Sequence, residues 1–444
     1  MKRWFFGLAI VMVTSGLLFA GGQGEQQQGG QQQGEQQQAE QEGPIEIEVW
    51  NHSGKGPERE AIDATIQEFN EMQDRIQVNL TRLPEGSYSE QVSAAALSGD
   101  LPDLLDFDGP NLYNYAWSGH LIPIGEYVPQ GVRSDFLPSI IGQGTYDDKL
   151  WSLGQFDSGL AIWGNREYLE EAGVRIPTSV DDAWTFEEFN QALEDLQALD
   201  QVEYAIDLKM NYGQGEWYTY AFSPIVQAFG GDLIDRSDYM SADGVLNGQE
   251  AVEAMEWFQT LFEDGYANAA PAGDDSFYGS KTAALSFVGH WMKQPHLDGL
   301  GRDNLVLIPM FKGPEDHVAG MGSWNWGITS NADNPEAVWE FMEFLLSPEE
   351  ILRMTDGNGA IPARESALEQ REEYQPGGWL HVFVEQLNTI ALPRPQTPAY
   401  PTITTAFQEA VQNIVNGANV QEQLDNAVQE IDQDIEDNQG YPTN

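Results

Sequence analysis

Six histidines are available for acid–base or metal chemistry: His52, His120, His290, His296, His317 and His381. Only His290 and His296 lie close together, and the proline in HWMKQPH breaks the helical spacing that a pair of metal-ligating histidines uses. Asp106 and Asp108 stand two apart in LPDLLDFDG, a spacing that surface exposure satisfies without chemistry. No GxSxG elbow, no HExxH helix and no Gly-rich loop ending in GK[ST] occurs. The residues that stand out are aromatic, with 13 Trp and 16 Tyr, and several fall in polar loops after expected strands, where α/β sheets place ligand contacts. Trp50, His52 and Ser53 follow the first strand pattern, and Asp108 sits in a Gly-Pro turn after another, placed to accept hydroxyl protons. Trp217 and Tyr218 lie in NYGQGEWYTY, a Gly-rich aromatic loop that core packing does not require. Trp324 and Trp326, in MGSWNWGI, are two apart in an extended segment and so point the same way. Aromatic faces beside charged and amide groups suit reversible recognition rather than bond making, and no cofactor or metal is expected.

The elements that must position these groups alternate. Ile45, Ile47 and Val49 alternate with Glu46 and Glu48 as a half-buried strand does; a helix follows over 60–72, then a second alternation at Ile76, Val78 and Leu80. Helices are expected over 88–97, 187–199, 249–264, 335–346, 404–416 and 420–436, and buried strands over 283–288 and 305–309. The fold class is α/β. A formal charge of −51, from 71 acidic and 20 basic residues, repels nucleic acid and anionic lipid and suits a salty medium, where screening relieves self-repulsion. With no Cys the chain has no disulfide, no thiolate metal site and no lipid-modified cysteine. Lys2 and Arg3 precede an apolar run to Ala20, the pattern of an export signal that is cleaved or kept as an anchor; residues 21–43 are a Gly/Gln/Glu tether with nothing to pack.

From Pro44 onward the chain resembles the extracellular sugar-binding proteins of ABC importers, the large maltodextrin-binding-like class. The motifs are VWNHSG, LPDLLDFDG before NLYNYAWSG, LWSLGQFDSGLAIWGNREYLEEAG, PTSVDDAWTFEEF, GGDLID, FYGSKTAALSFVGHW, VLIPMFKG, MGSWNWGI and GNGAIPAR, in that order. The resemblance implies a periplasmic-binding-protein fold: two α/β lobes joined by three hinge crossings near 156–157, 307–309 and 359–362. Lobe one would be 44–156 plus 310–360 and lobe two 157–307 plus 361–444, with the ligand cleft between them. It implies a monomer that delivers a sugar to membrane-spanning permease subunits, with a polyamine, peptide or polyol phosphate as the alternative solute. On that frame Phe156 and Asp157 lie at a crossing, Trp291 lies where the family carries a sugar-stacking aromatic, and Arg394, in the rigid ALPRPQTPAYP, lies on the second lobe's side of the cleft.

Overall fold

Strand β1 (Ile45–His52) buries Ile47 and Val49 and leaves Glu46 and Glu48 in water, as its alternation requires. The helix Gly56–Met72 starts with a proline in its first turn and presses Ile62, Ile66 and Phe69 inward. Strand β2 (Ile76–Leu83) then pairs with β1 in parallel, Ile45 opposite Ile76, and β3 (Leu104–Asp108) pairs on the other side, Val49 opposite Leu104. The computed structural model describes residues 43–213 and 215–442, and the unit that carries the fold starts at Pro44. The segments expected to be an export signal and, nearly all of it, a tether lie outside the described residues.

The hairpin β4 (Thr145–Tyr146) and β5 (Lys149–Leu150) turns through Asp147 and Asp148, both at positive φ, the backbone a two-residue hairpin needs. After the short β6 (Phe156–Asp157) a second sheet forms from β7 (Leu160–Asn165), β8 (Tyr204–Asp207), β9 (Ala283–Gly289) and β10 (Leu305–Ile308), in the order β10-β7-β9-β8. Strands β7 and β9 are buried along their whole length, which explains their near-continuous apolar sequences. Strand β11 (Ala319–Met321) stays with this half and pairs with β14 (Ala391–Pro393). Strand β12 (Trp324–Ile328) closes the first sheet, in the order β12-β3-β1-β2, running antiparallel to β3. Strand β13 (Ile361–Pro362) pairs with β6.

The molecule is thus a two-lobe α/β protein with one four-stranded sheet and a separate apolar core in each lobe. Two of the crossings run side by side, Ile361 opposite Asp157 and Pro362 opposite Phe156. The third is not at 307–309. Leu307 and Ile308 pair with Trp163 and Ile162 inside the second sheet, and Met310, Phe311 and Ala319 pack in the second core. The chain leaves that lobe only at Gly322, whose φ of +127° a side-chain-bearing residue rarely adopts. Past the crossing at 361–362, Ala363 and Ala367 still pack in the first core. Among the described residues no helix is long and apolar enough to cross a membrane.

Candidate functional site

The parallel strands β1 and β3 end at His52 and Asp108, and both ends open on a cavity of about 910 Å³ between the two sheets. Lobe two supplies the opposite wall from the start of the helix Trp217–Ala228, from the turn after β9 and from Arg394 after β14. Seven of the residues singled out in the sequence line this cavity: His52, Asp108, Phe156, Trp217, Trp291, Trp324 and Arg394.

Five others are placed elsewhere. Trp50, two residues before the end of β1, packs half-buried against the Tyr88 and Phe107 cluster behind the cavity. Ser53 is half-buried and lies outside the lining. Asp157 is fully buried and engaged within the crossing: it accepts from Gln143 Nε2 at 3.2 and 3.3 Å and from the Ser158 N–H at 2.8 Å. Burial without a cation pushes its carboxyl above the usual range. Tyr218 is one helical step from Trp217 and turns into the second core against Phe222. Trp326 keeps to the same strand face as Trp324 but lies deeper, 4% exposed in the first core, with its indole N–H directed at Gln155.

The lobe-one wall is a charged stack. The His52 ring lies on Trp324 at 3.6 Å and 14°, covering one indole face, while Tyr88 meets Trp324 edge-on at 5.5 Å. The imidazole bonds Asp106 through Nδ1 at 2.7 Å, Asp106 also accepts from Asn51 Nδ2 at 2.5 Å, and Glu58 stands 3.8 Å from Nε2. Burial pulls the His52 pKa down, but Asp106 and then Glu58 outweigh it and hold it well above the ordinary value. The same pairing outweighs burial at Glu58 and lowers its pKa. Asp106 and Asp108 are therefore not surface carboxylates; they are 1% and 9% exposed and both are bonded.

The second feature joins the lobes. Arg394, 5% exposed, grips Asp108 with both amino groups at 2.5 and 2.7 Å and reaches Glu216 at 3.0 Å, with its guanidinium 4.9 Å from the Tyr220 ring. Glu216 also accepts from Tyr400 and from Thr404 at 3.3 Å. Burial pushes Glu216 up to about 7; Arg394 works against that push and Asp108 adds to it. Sequence reasoning missed Glu216, although it precedes Trp217 in the quoted aromatic loop; a carboxylate flanked by Gly and Trp was the available signal. On the far side Lys55 reaches across to Asp274 at 3.4 Å. Trp291 donates its indole N–H to the Tyr212 hydroxyl at 3.0 Å and meets Trp217 edge-on at 6.1 Å, so two indoles and a phenol form one aromatic corner.

At the floor runs a hydrogen-bond chain that sequence reasoning also missed. His290 Nδ1 lies 2.9 Å from the Asn358 carbonyl, Nε2 lies 3.0 Å from Ser158 Oγ, and Ser158 Oγ lies 2.9 Å from the Tyr220 hydroxyl. A carbonyl only accepts, so Nδ1 carries a proton, and while the ring is neutral Nε2 accepts from Ser158. Burial drives the His290 pKa down to about 4. Below an unfolded value near 6.5 the unfolded state binds the extra proton, so stability falls as pH drops from about 6.5 to about 4 and levels off beneath. We expect His290 to account for roughly 3 kcal/mol of acid destabilisation over that window. Denaturant melts of wild type and His290→Gln at pH 7 and pH 4 check this: the variant should lose much less stability on acidification, and parallel losses would remove His290 from the account.

The family model described as bacterial extracellular solute-binding protein matches residues 55–351. A maltodextrin-binding protein, MdxE, of Bacillus subtilis is 22% identical over 370 residues, covering 80% of this chain and 84% of its own. A maltotriose-binding protein of Pyrococcus abyssi is 23% identical over 338 residues, covering 74% and 69%. Among solved structures, an ABC substrate-binding protein of Listeria monocytogenes in complex with cycloalternan superimposes with a TM-score of 0.75 at 20% identity, covering 88% of this chain and 99% of that one. A solute-binding protein of Thermotoga lettingae bound to α-D-tagatose gives 0.73 at 19% identity, covering 88% and 99%.

Proposed function

We propose a function for a chain that belongs to the bacterial extracellular solute-binding protein family: it captures a carbohydrate outside the cytoplasm and delivers it to an ABC importer. One observation carries this reading. The cationic groups His52, Lys55 and Arg394 at the cavity each face a carboxylate, beside the rings of Trp217, Trp291 and Trp324. Among the described residues at the cavity a phosphorylated polyol would find no unpaired cation and would have to break an existing ion pair. A neutral ring with hydroxyls can lay an apolar face on indole and share its edge with groups already held in place. The cavity of about 910 Å³ falls within the usual range of small-molecule sites, roughly 300–1,000 Å³. Relatives named for maltodextrin and maltotriose support the class of ligand.

Ligand contacts are assigned to His52, Asp108, Phe156, Trp217, Trp291, Trp324 and Arg394, with Glu216 and Tyr220 added. We read the chain as a binding protein without catalysis, because Asp108 and Glu216 share one guanidinium instead of flanking open space. Residues 1–20 direct export, residues 21–43 tether the folded part, and a monomer meets the permease subunits. A polyamine is the second reading, favoured by the Glu85 and Glu216 carboxylates on the cavity wall.

A thermal-shift panel of neutral sugars, spermidine and glycerol phosphate tests the choice, since a ligand selective for the native state adds about 2.7 kcal/mol at a hundred times its Kd. We expect a neutral sugar to raise Tm and glycerol phosphate to leave it unchanged. A rise with spermidine alone would replace the sugar by the polyamine.

A further inference from the structure

The last turn of the chain touches the other lobe. After the helix Val420–Asp437 of lobe two, Gln439, Gly440 and Tyr441 adopt φ of +56°, +74° and +53°, three successive left-handed residues of which only one is glycine. Such a run is disfavoured in an isolated chain and persists where contacts fix it. Here the Gly440 N–H donates to the Ile435 carbonyl at 2.8 Å, the Tyr441 N–H donates to the Asn438 carbonyl at 3.0 Å, and the Tyr441 hydroxyl donates to Asp434 at 2.5 Å. A Cβ on Gly440 would stand 2.6 Å from Met240 Cε, so the turn is seated closely on lobe two.

From that seat it meets Trp117 of lobe one. The rings of Trp117 and Tyr441 stand edge to face at 4.9 Å and 77°, and the Trp117 indole N–H donates to the Pro442 carbonyl at 3.0 Å. Trp117 ends the short helix Leu112–Trp117, from which Asn114 also donates to the Pro398 carbonyl of lobe two at 2.9 Å. That helix follows directly on Asp108 and the turn Gly109–Asn111, so one rigid element carries both the Asp108–Arg394 bridge and the contact with the tail. Trp117, Tyr441 and Pro442 are all outside the cavity lining.

We propose that residues 439–442 are a clasp: by holding Trp117 of the opposite lobe they favour the closed cleft and so set the affinity of a cavity they do not touch. The inference rests on the cavity being a ligand site that the lobes close over, and not on which ligand fills it. A closed-state contact raises apparent affinity by enlarging the binding-competent fraction, and its loss returns that factor.

The chain has no Cys, so Ser98→Cys on lobe one and Asn413→Cys on lobe two would be the only thiols and take spin labels cleanly. Electron–electron distance measurements on the ligand-free protein compare this parent with Trp117→Ala, Trp117→Phe and a chain ending at Asn438. The expected result is a shift to longer distances in Trp117→Ala and in the shortened chain. Trp117→Phe keeps a ring without the N–H and should fall between. Affinity for maltotriose should drop about 3- to 10-fold in the first two through faster dissociation. Distance distributions that superimpose on the parent overturn the clasp, whatever happens to Tm. If maltotriose binds none of the proteins, the distances still decide the clasp, and the failure falls on the sugar reading alone.

Discussion

Trp326→Ala should lower the unfolding free energy by about 3–5 kcal/mol and leave ligand affinity of the folded protein within threefold, whereas Trp324→Ala should do nearly the reverse. Trp326 is enclosed by the first core, so its removal leaves a cavity that neighbouring side chains fill only in part. Trp324, which opens the strand, opposes Asp108 at the rim and lines the cavity. Its loss should cost binding about 1–4 kcal/mol, the range for an aromatic anchor, and cost stability less than its neighbour does. Melts and calorimetric titrations on the two variants check the assignment. Equal losses of stability with unaltered binding in both would place Trp324 in the core as well.

Arg394→Met should reduce ligand affinity at least about 100-fold at pH 7.5, a loss of about 2.7 kcal/mol. Removing one partner of a buried ion pair typically costs about 3–5 kcal/mol because a charge is left without compensation. Here the stranded carboxylates, Asp108 and Glu216, sit on different lobes, so the cleft can open and hydrate them. The cost should therefore surface in closure and binding more than in unfolding. Burial already pushes Glu216 up to about 7 with the guanidinium present, and loss of that cation moves it higher. Lowering the pH to 5.5 should then neutralise the carboxylate and restore part of the lost affinity. Arg394→Lys keeps the charge but not the two-pronged grip and should fall between. Affinity of Arg394→Met within threefold of wild type at both pH values would contradict the role given to this bridge.

Local pattern made much of the fold legible. Ile45, Ile47 and Val49 declare a strand because only one face of β1 is buried. Apolar runs say less, because burial on both faces erases the alternation and does not reveal which core a segment serves. The crossing that the family resemblance implied at 307–309 shows the limit: Leu307, Ile308, Met310 and Phe311, apolar on both sides of Pro309, all stay in lobe two. Period two put Trp324 and Trp326 on one face correctly, but it carries no information about depth along the strand. The acidic pair Asp106 and Asp108 read as exposed because their partners are distant in sequence, His52 being 54 residues away and Arg394 286. Long-range pairing also hid Glu216, Tyr220 and the His290 chain, whose residue types are ordinary and whose significance lies in what the fold brings beside them.

Calorimetric titration of the protein with a series of neutral mono- and oligosaccharides, repeated on Trp324→Ala, decides whether the cavity takes a neutral sugar. Saturable binding of one sugar per chain is expected, with a negative heat-capacity change from the buried indole faces, weakened by at least about tenfold in the variant. Binding of a neutral sugar with equal affinity to both proteins would place the site elsewhere, and a titration flat for every neutral sugar but saturable with spermidine would assign the cavity to a cation.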